Sequence, residues 1–81
     1  MTKIEISIIF ALNQCGEIHG TETLMEIIGI TDLRKKPRVS TAIALLLKNG
    51  YVIVEPSLGG RGNKTIYRNT PKTSMLFQVQ R

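Results

Sequence analysis

Residue types that hold metals or carry out redox chemistry are scarce in this chain. Among its 81 residues, Cys15 is the only cysteine and His19 is the only histidine. A lone cysteine cannot form an internal disulfide, which indicates a reducing compartment, and we expect Cys15 to be a small core residue. Zinc sites draw several ligands from cysteine and histidine, so neither a metal nor another cofactor is expected.

Aromatic residues and long apolar runs are also scarce. Tryptophan is absent, and aromatic residues account for 5% of the chain. Proteins that bind RNA or single strands stack bases on aromatic side chains, so this composition argues against that class. No apolar run approaches the roughly 20 residues of a membrane-spanning helix, and the first residues lack the plan of a signal peptide. We therefore expect a cytoplasmic protein that does not contact a membrane.

Combinations of catalytic residue types are missing as well. Glu22 and Glu26 are close in sequence, but no nucleophile or base accompanies them. They are predicted to be surface and capping residues, and the chain is not expected to be an enzyme. An apolar share of 42% is sufficient for a folded protein. The length predicts a single domain over residues 1–81, with a core over about 3–71 and a C-terminal extension over 72–81.

Acidic residues are nearly absent from the second part of the chain. Residues 1–33 contain one basic and five acidic residues, whereas residues 34–81 contain ten basic residues and one acidic residue. The balances of −4 and +9 together give the net charge of +5. Such a division places a strong positive field on one part of the surface, and nucleic acid is the commonest biological polyanion. The two basic clusters are Arg34, Lys35, Lys36 and Arg38, and then Arg61, Lys64, Arg68 and Lys72.

A first helix is predicted over residues 3–14, because its apolar residues follow a helical stripe and Gly16 suits a helix end. The alternation of Ile4, Ile6 and Ile8 is also compatible with a strand, but the length and the stop residue favour the helix. This helix is apolar on more faces than one small core needs. The surplus apolar residues are Ile6, Ile9 and Phe10.

A second, short helix is predicted over residues 23–28, with Gly29 as its end. Thr23 and Glu26 have the spacing of a capping box, in which hydroxyl and carboxylate each accept a hydrogen bond from a backbone N–H without a helical partner. The residues predicted to face the core are Leu24, Ile27 and Ile28.

The third predicted helix begins at Pro37, whose fixed φ suits a first helical turn, and runs to about Lys48. Gly50 ends it, because glycine tolerates the left-handed conformation of a sharp exit. Its predicted buried residues are Val39, Ile43, Leu46 and Leu47. Its opposite face carries Arg38, Thr41, Ala44, Leu45 and Lys48.

Two antiparallel strands are predicted over residues 51–55 and 65–69, because both segments are rich in β-branched and aromatic residues. The segment between them contains three glycines and a proline, which predicts a projecting hairpin tip. Residues 17–20 are predicted to form a short extended connector. For the tail after Thr70, a last short helix and a strand remain alternatives.

The order of helix, short strand, helix, turn, helix and glycine-rich hairpin resembles the winged helix-turn-helix superfamily over about residues 4–71. Leu45-Leu-Leu-Lys-Asn-Gly-Tyr-Val52 resembles the end of a recognition helix that runs into the wing. Gly59-Gly-Arg-Gly-Asn-Lys-Thr-Ile-Tyr-Arg-Asn-Thr-Pro71 is similar to the wing of PadR-type and MarR-type bacterial regulators, which often read Gly-Gly-Arg-x-Arg-x-Tyr-Tyr-x-Leu-Thr-Pro. The resemblance implies an α+β fold of three helices plus a small antiparallel β-hairpin wing, and a transcriptional regulator that binds double-stranded DNA.

The chain departs from that pattern in three places. The turn between the second and third helices is several residues longer than is usual, which leaves the start of the recognition helix open. Asn69 stands where such wings usually carry an apolar residue. Few residues follow Pro71, whereas those families often have longer flanking helices for dimerisation. The resemblance therefore implies DNA binding more firmly than it implies one family or assembly.

The basic residues Arg34, Lys35, Lys36 and Arg38 are predicted at the N-terminus of the third helix, the end that enters the major groove in helix-turn-helix docking. Cations there are unfavourable for an isolated helix, because the dipole already presents positive charge, and a bound anion would compensate that cost. A solubilising charged loop is the alternative. Arg38 is the best candidate to contact a base, since a guanidinium can grip guanine with two bonds.

Further contacts are predicted on the exposed face of the third helix, from Ser40, Thr41, Ala44 and Lys48. Methyl groups there can touch a thymine methyl, and hydroxyls can bond to a base or a phosphate. An ordinary solvated face is the alternative. Leu45 does not suit a solvated face or a base contact, and we expect it to pack against the wing or a partner.

In the hairpin, Arg61 lies between two glycines, which keep the tip slim enough for the side chain to reach a narrow minor groove. Lys64 and Arg68 are predicted to contact phosphates nearby. A flexible tip with an incidental charge is the alternative. Tyr67 and Tyr51 are expected to pack in the strands and keep their hydroxyls in water.

The surplus apolar residues on the first helix and on Met75-Leu76-Phe77 predict a homodimer. Two-fold symmetry is also the usual way in which a small DNA-binding protein contacts two half-sites. A protein-interaction adaptor without DNA binding is the alternative function, because winged helices also serve in larger assemblies and the fold does not fix the function. In that case the apolar faces would be the working surface, and the basic clusters would be incidental or bind an acidic partner.

Overall fold

The computed structural model describes residues 2–56 and 65–78. Within these residues the predicted α+β class is confirmed, with four α-helices and one three-stranded antiparallel sheet in the order β1-β3-β2. A 3₁₀ turn, Leu33–Lys35, precedes the third helix directly. The helices and strands are α1 (Lys3–Cys15), β1 (Glu17–His19), α2 (Thr21–Ile27), α3 (Lys36–Lys48), β2 (Val52–Pro56), β3 (Thr65–Asn69) and α4 (Pro71–Gln78).

Helix α1 confirms the predicted first helix and begins with a capping box that sequence reasoning missed. The Thr2 hydroxyl accepts a hydrogen bond from the Glu5 backbone N–H at 3.2 Å, and the Glu5 carboxylate accepts one from the Thr2 N–H at 3.3 Å. Ile9, predicted as surplus surface, is only 2% exposed. Cys15 is exposed, whereas a core position had been predicted. It is the last residue of α1, and the buried residues of this helix end at Leu12.

Helix α2 begins two residues earlier than predicted. Gly20 has a φ of 91° and donates its N–H to the Thr65 carbonyl at 2.7 Å, so the chain turns out of β1 at this residue and the helix starts at once. Thr23 therefore lies inside the first turn, and the predicted capping box does not form. Met25 is buried, whereas Ile27, predicted to be inward, is 45% exposed.

Helix α3 confirms the predicted third helix to within one residue at its start. It ends in a left-handed exit, where Gly50 has a φ of 81° and the Tyr51 N–H bonds to the Leu46 carbonyl at 2.9 Å. Leu47 is 48% exposed, contrary to prediction. The buried stripe follows the spacing i, i+3, i+4, i+7, so Ala42 takes the place that had been given to Leu47. This stripe is Val39, Ala42, Ile43 and Leu46.

The two predicted strands are confirmed as β2 and β3, and the predicted connector is a third strand. Tyr67 pairs with Ile18 on one side and with Val54 on the other. These side chains face the helices, while Arg68 and its neighbours Glu17 and Ile53 lie on the outer face, since side chains alternate along a strand. The predicted hairpin tip, residues 57–64, lies outside the described residues.

As far as Gln78 the tail forms helix α4 rather than a strand, and residues 79–81 lie outside the described residues. Thr73 is fully buried and donates its hydroxyl to the Tyr51 carbonyl. Lys72 donates to the Asn49 carbonyl at 2.7 Å and lies 4.4 Å from the centre of the Tyr51 ring. These bonds attach the start of α4 to the end of α3.

The buried apolar side chains form one cluster of Ile8, Ile9, Ala11, Leu12, Ile18, Leu24, Met25, Val39, Ala42, Ile43, Leu46, Val52 and Tyr67.

Candidate nucleic-acid interface

The first basic cluster lies at the start of α3, as predicted. Asp32 caps the 3₁₀ turn, because its Oδ1 accepts the Arg34 backbone N–H at 2.9 Å. The turn runs directly into α3, so the basic residues lie partly on the 3₁₀ turn and partly on the first turn of α3. We call them the α3 cluster, and all are exposed: Arg34, Lys35, Lys36 and Arg38.

Only one member of the α3 cluster forms an ion pair within residues 2–56 and 65–78. The Arg34 guanidinium contacts both carboxylate oxygens of Asp32 at 3.2 Å. These side-chain bonds, with the Arg34 backbone N–H, lower the pKa of Asp32 from its ordinary value of 3.8, and the charge of Lys35 acts in the same direction. In the part of the chain that the structure describes, Lys35, Lys36 and Arg38 form no ion pair, so their positive charges remain available to an anion.

The exposed face of α3 carries four more residues predicted to contact DNA. The Thr41 hydroxyl donates to the Pro37 carbonyl at 3.0 Å, which uses its proton and leaves its oxygen free to accept. The spacing of this set places its members on one side of the helix. The set is Ser40, Thr41, Ala44 and Lys48, and each member is exposed.

Beside that face lies a groove that sequence reasoning missed. It has a volume of about 520 Å³ and runs between the first turn of α1 and the outer side of α3. Leu45, 43% exposed, lines it together with Ile4. The only signal in the sequence was a leucine on an otherwise polar helix face. The lining residues are Thr2, Lys3, Ile4, Glu5, Pro37, Arg38, Thr41, Ala42 and Leu45.

Arg68 lies on the outer face of the sheet, where it pairs with carboxylates. Its Nε lies 3.0 Å from Glu17, and its Nη1 lies 3.9 Å from Glu55. Glu17 also accepts a hydrogen bond from His19 Nε2 at 2.6 Å. That bond, followed by the charge of Arg68, lowers the pKa of Glu17 from its ordinary value of 4.5. Two carboxylates thus already oppose the charge of Arg68.

Two further basic residues predicted to contact DNA, Arg61 and Lys64, lie outside the described residues. Across residues 2–56 and 65–78, no group of three or more His, Cys, Asp or Glu side chains could hold a metal ion. In the same part of the chain, none of the helices combines the length and the apolar character needed to cross a bilayer.

Comparison with known proteins gives no match, either to a protein-family model or to a curated protein sequence.

Proposed function

We propose that this protein is a non-enzymatic transcriptional regulator of the winged helix-turn-helix type, which binds double-stranded DNA in the cytoplasm. The order of elements supports this proposal, because three helices precede an antiparallel strand pair with a glycine-rich basic connection. In this arrangement α3 is the recognition helix, and residues 57–64 belong to the wing.

The observation that carries the proposal is the exposed positive charge at the start of α3. Lys35, Lys36 and Arg38 form no ion pair within the described residues, and they lie at the helix end where the dipole is also positive. Such a concentration of like charge is unfavourable in the free protein. A phosphate backbone relieves it and releases condensed counterions, which supplies most of the affinity of DNA-binding proteins.

In the proposed complex the N-terminal end of α3 enters the major groove. Arg38 is positioned to contact guanine, and the set Ser40, Thr41, Ala44 and Lys48 extends the contact along the helix. Arg61 and Lys64 reach the minor groove and the backbone from the wing. Arg68 contributes less than the others, because Glu17 and Glu55 already oppose its charge.

Fluorescence anisotropy with a labelled duplex of mixed sequence, titrated at several salt concentrations, tests this proposal. The affinity should fall with salt on a log–log slope of about −0.9 per phosphate contact. The same titration with each separated strand is the control, and the duplex should bind more tightly. Absence of duplex binding at low salt, or equal binding of duplex and single strands, would contradict the proposal.

A specific observation also favours the adaptor alternative, in which the protein binds other proteins. The groove between α1 and α3 has an apolar floor that includes Ile4 and the half-exposed Leu45. Exposed apolar surface of this kind often marks a protein contact. The duplex titration separates the two functions, because an adaptor without DNA binding would show no salt-dependent signal.

We further propose that the protein forms a homodimer through the outer side of α1 and α2. Ile6 is 54% exposed and Ile27 is 45% exposed. Together with Phe10 they line a hollow of about 370 Å³. Light scattering at high protein concentration should give the mass of a dimer, and Ile6→Ser should return the mass to that of a monomer. Ile53→Ser, a change of the same kind on the outer face of the sheet, should leave the dimer intact.

A further inference from the structure

We infer that the groove between α1 and α3 binds an acidic amphipathic helix of a partner protein, and that this partner competes with DNA. The binding follows from the shape, the floor and the charge of the groove. The competition rests on the proposed function, because it requires that α3 also contacts DNA.

The groove extends along one side of α3. The hollow of about 520 Å³ adjoins a second hollow of about 280 Å³, and both are lined by Lys3, Ile4 and Arg38. The second hollow is also lined by Ile28 and Ile30, at the end of α2 and just after it. Along α3 the wall extends from Pro37 to Leu45, which corresponds to ~12 Å at the rise of an α-helix. We call the two hollows together the α1–α3 trough. A trough of about two helical turns between two helices is suited to a docked helix rather than a compact small molecule.

The floor of the trough is apolar. Ile4, Pro37 and Leu45 contribute apolar side chains, and Ala42 is small enough to allow a close approach. Half-exposed leucines are common on protein surfaces and need no explanation singly. Leu45 differs from Leu47, which has a similar exposure of 48% but does not line the trough. An apolar stripe on a docked helix would cover Leu45 and leave Leu47 in water.

The rim of the trough is cationic. The exposed side chains Lys3, Lys35 and Arg38 border it, and within the described residues none of them forms an ion pair. The acidic lining residue Glu5 is only 7% exposed, and its carboxylate accepts hydrogen bonds from the backbone and the hydroxyl of Thr2. An apolar floor with a positive rim complements a helix with an apolar stripe and acidic flanks.

Competition with DNA follows from Arg38, which belongs both to the α3 cluster and to the trough. An acidic helix in the trough would occupy the guanidinium that the proposed DNA complex uses. The partner would therefore release the protein from DNA by taking over positive charge at the start of α3, without any change in the fold.

The probe for the test is a synthetic fluorescein-labelled peptide of ~14 residues, or about four helical turns. It carries leucine at i, i+3, i+4 and i+7 and glutamate at most other positions. Its control has the same composition in an order that destroys the apolar stripe. The full chain should bind the first peptide at least tenfold more tightly than the control. Leu45→Ser should weaken that binding by about tenfold, and Leu47→Ser should leave it unchanged.

Methyl NMR of the unsubstituted protein gives a second measurement that needs no variant. Signals of Ile4 and Leu45 should shift when the peptide is added, whereas those of Ile53 on the outer sheet face should not. Equal binding of both peptides, equal loss in the two leucine variants, or shifts away from the trough would overturn the inference.

A final arm separates this inference from the proposed function. With a labelled duplex already bound, addition of the unlabelled striped peptide should lower the anisotropy of the DNA. If the peptide binds at Leu45 but the protein binds no duplex, the docking site stands, and both the proposed function and the competition fail. If the duplex binds and the striped peptide does not, the proposed function stands and the docking site fails.

Discussion

The hydroxyl oxygens of Thr21 and Tyr67 lie 2.6 Å apart and join the first residue of α2 to strand β3. Tyr67 is only 4% exposed, so its ring packs in the core as predicted, and its hydroxyl, expected in water, forms a hydrogen bond with the Thr21 hydroxyl. Since a buried phenol requires a hydrogen-bond partner, this pair fixes the start of α2 against the sheet.

Replacing Tyr67 by phenylalanine should lower the free energy of unfolding by about 1–2 kcal/mol, because the Thr21 hydroxyl would lose its partner in a partly buried place. Urea denaturation measures the change. Thr21→Val and the double variant complete a double-mutant cycle, which isolates the hydroxyl pair. A coupling energy of zero would show that the two hydroxyls do not stabilise each other.

Replacing Asp32 by serine should raise the affinity for duplex DNA. Serine keeps an oxygen that can cap the 3₁₀ turn, while the carboxylate that binds Arg34 is removed. Arg34 then becomes available for one more phosphate contact, so the salt slope should steepen by about 0.9. The measurement is anisotropy over a salt series.

The control for this prediction is Glu22→Gln, which removes one negative charge from the exposed side of α2. It should change the affinity much less, and the slope should stay as in the unsubstituted protein. Equal effects of the two changes would mean that only the net charge matters and that the Arg34–Asp32 pair has no specific role.

Arg38→Gln should weaken duplex binding more than Lys48→Gln does. Both changes remove one positive charge from an exposed position of α3, but Arg38 lies in its first turn and Lys48 is its last residue. Helix-turn-helix docking brings the first turns of the recognition helix to the bases. We expect a loss of about tenfold or more for Arg38→Gln, in line with a lost guanine contact. Equal losses would place DNA along the whole helix or elsewhere.

Stability should fall in acid because of Glu17. The hydrogen bond from His19 and the charge of Arg68 hold the folded-state pKa of Glu17 below its ordinary value of 4.5. A carboxyl group whose pKa is lower in the folded than in the unfolded state stabilises the fold at any pH above its unfolded-state pKa. This stabilisation is lost as the pH falls through its folded-state pKa. The urea midpoint should therefore decrease below about pH 4.5, and Glu17→Gln should make that decrease shallower.

Glu22→Gln serves as the comparison for the acid titration, because Glu22 forms no ion pair within the described part of the chain. It should leave the acid limb of the stability curve unchanged. A Glu17→Gln curve parallel to that of the unsubstituted protein would show that the cluster on the outer sheet face does not contribute.

The sequence by itself determined the features that depend on near neighbours. Helix α3 begins beside Pro37, because the fixed φ of proline suits a first helical turn. It ends before Gly50, because glycine tolerates the positive φ of the exit. Each of these effects depends on the residue itself. The exposure of the α3 cluster was equally predictable, since charged side chains remain in water unless a partner pays for their burial. The α+β class followed from the same local patterns.

The tertiary structure alone decided which residues meet across the chain. The helix α2 starts at Thr21 because Gly20 pairs with Thr65, which lies on a strand far along the sequence. Similarly, Arg68 has its charge opposed because β1 joins the sheet and brings Glu17 beside it. The trough exists because residues of the first turn of α1 and of α3, far apart in sequence, line the same hollow. The spacing of residues along the chain predicts which side of its own helix or strand a residue occupies. It does not predict which other helix or strand packs against that side.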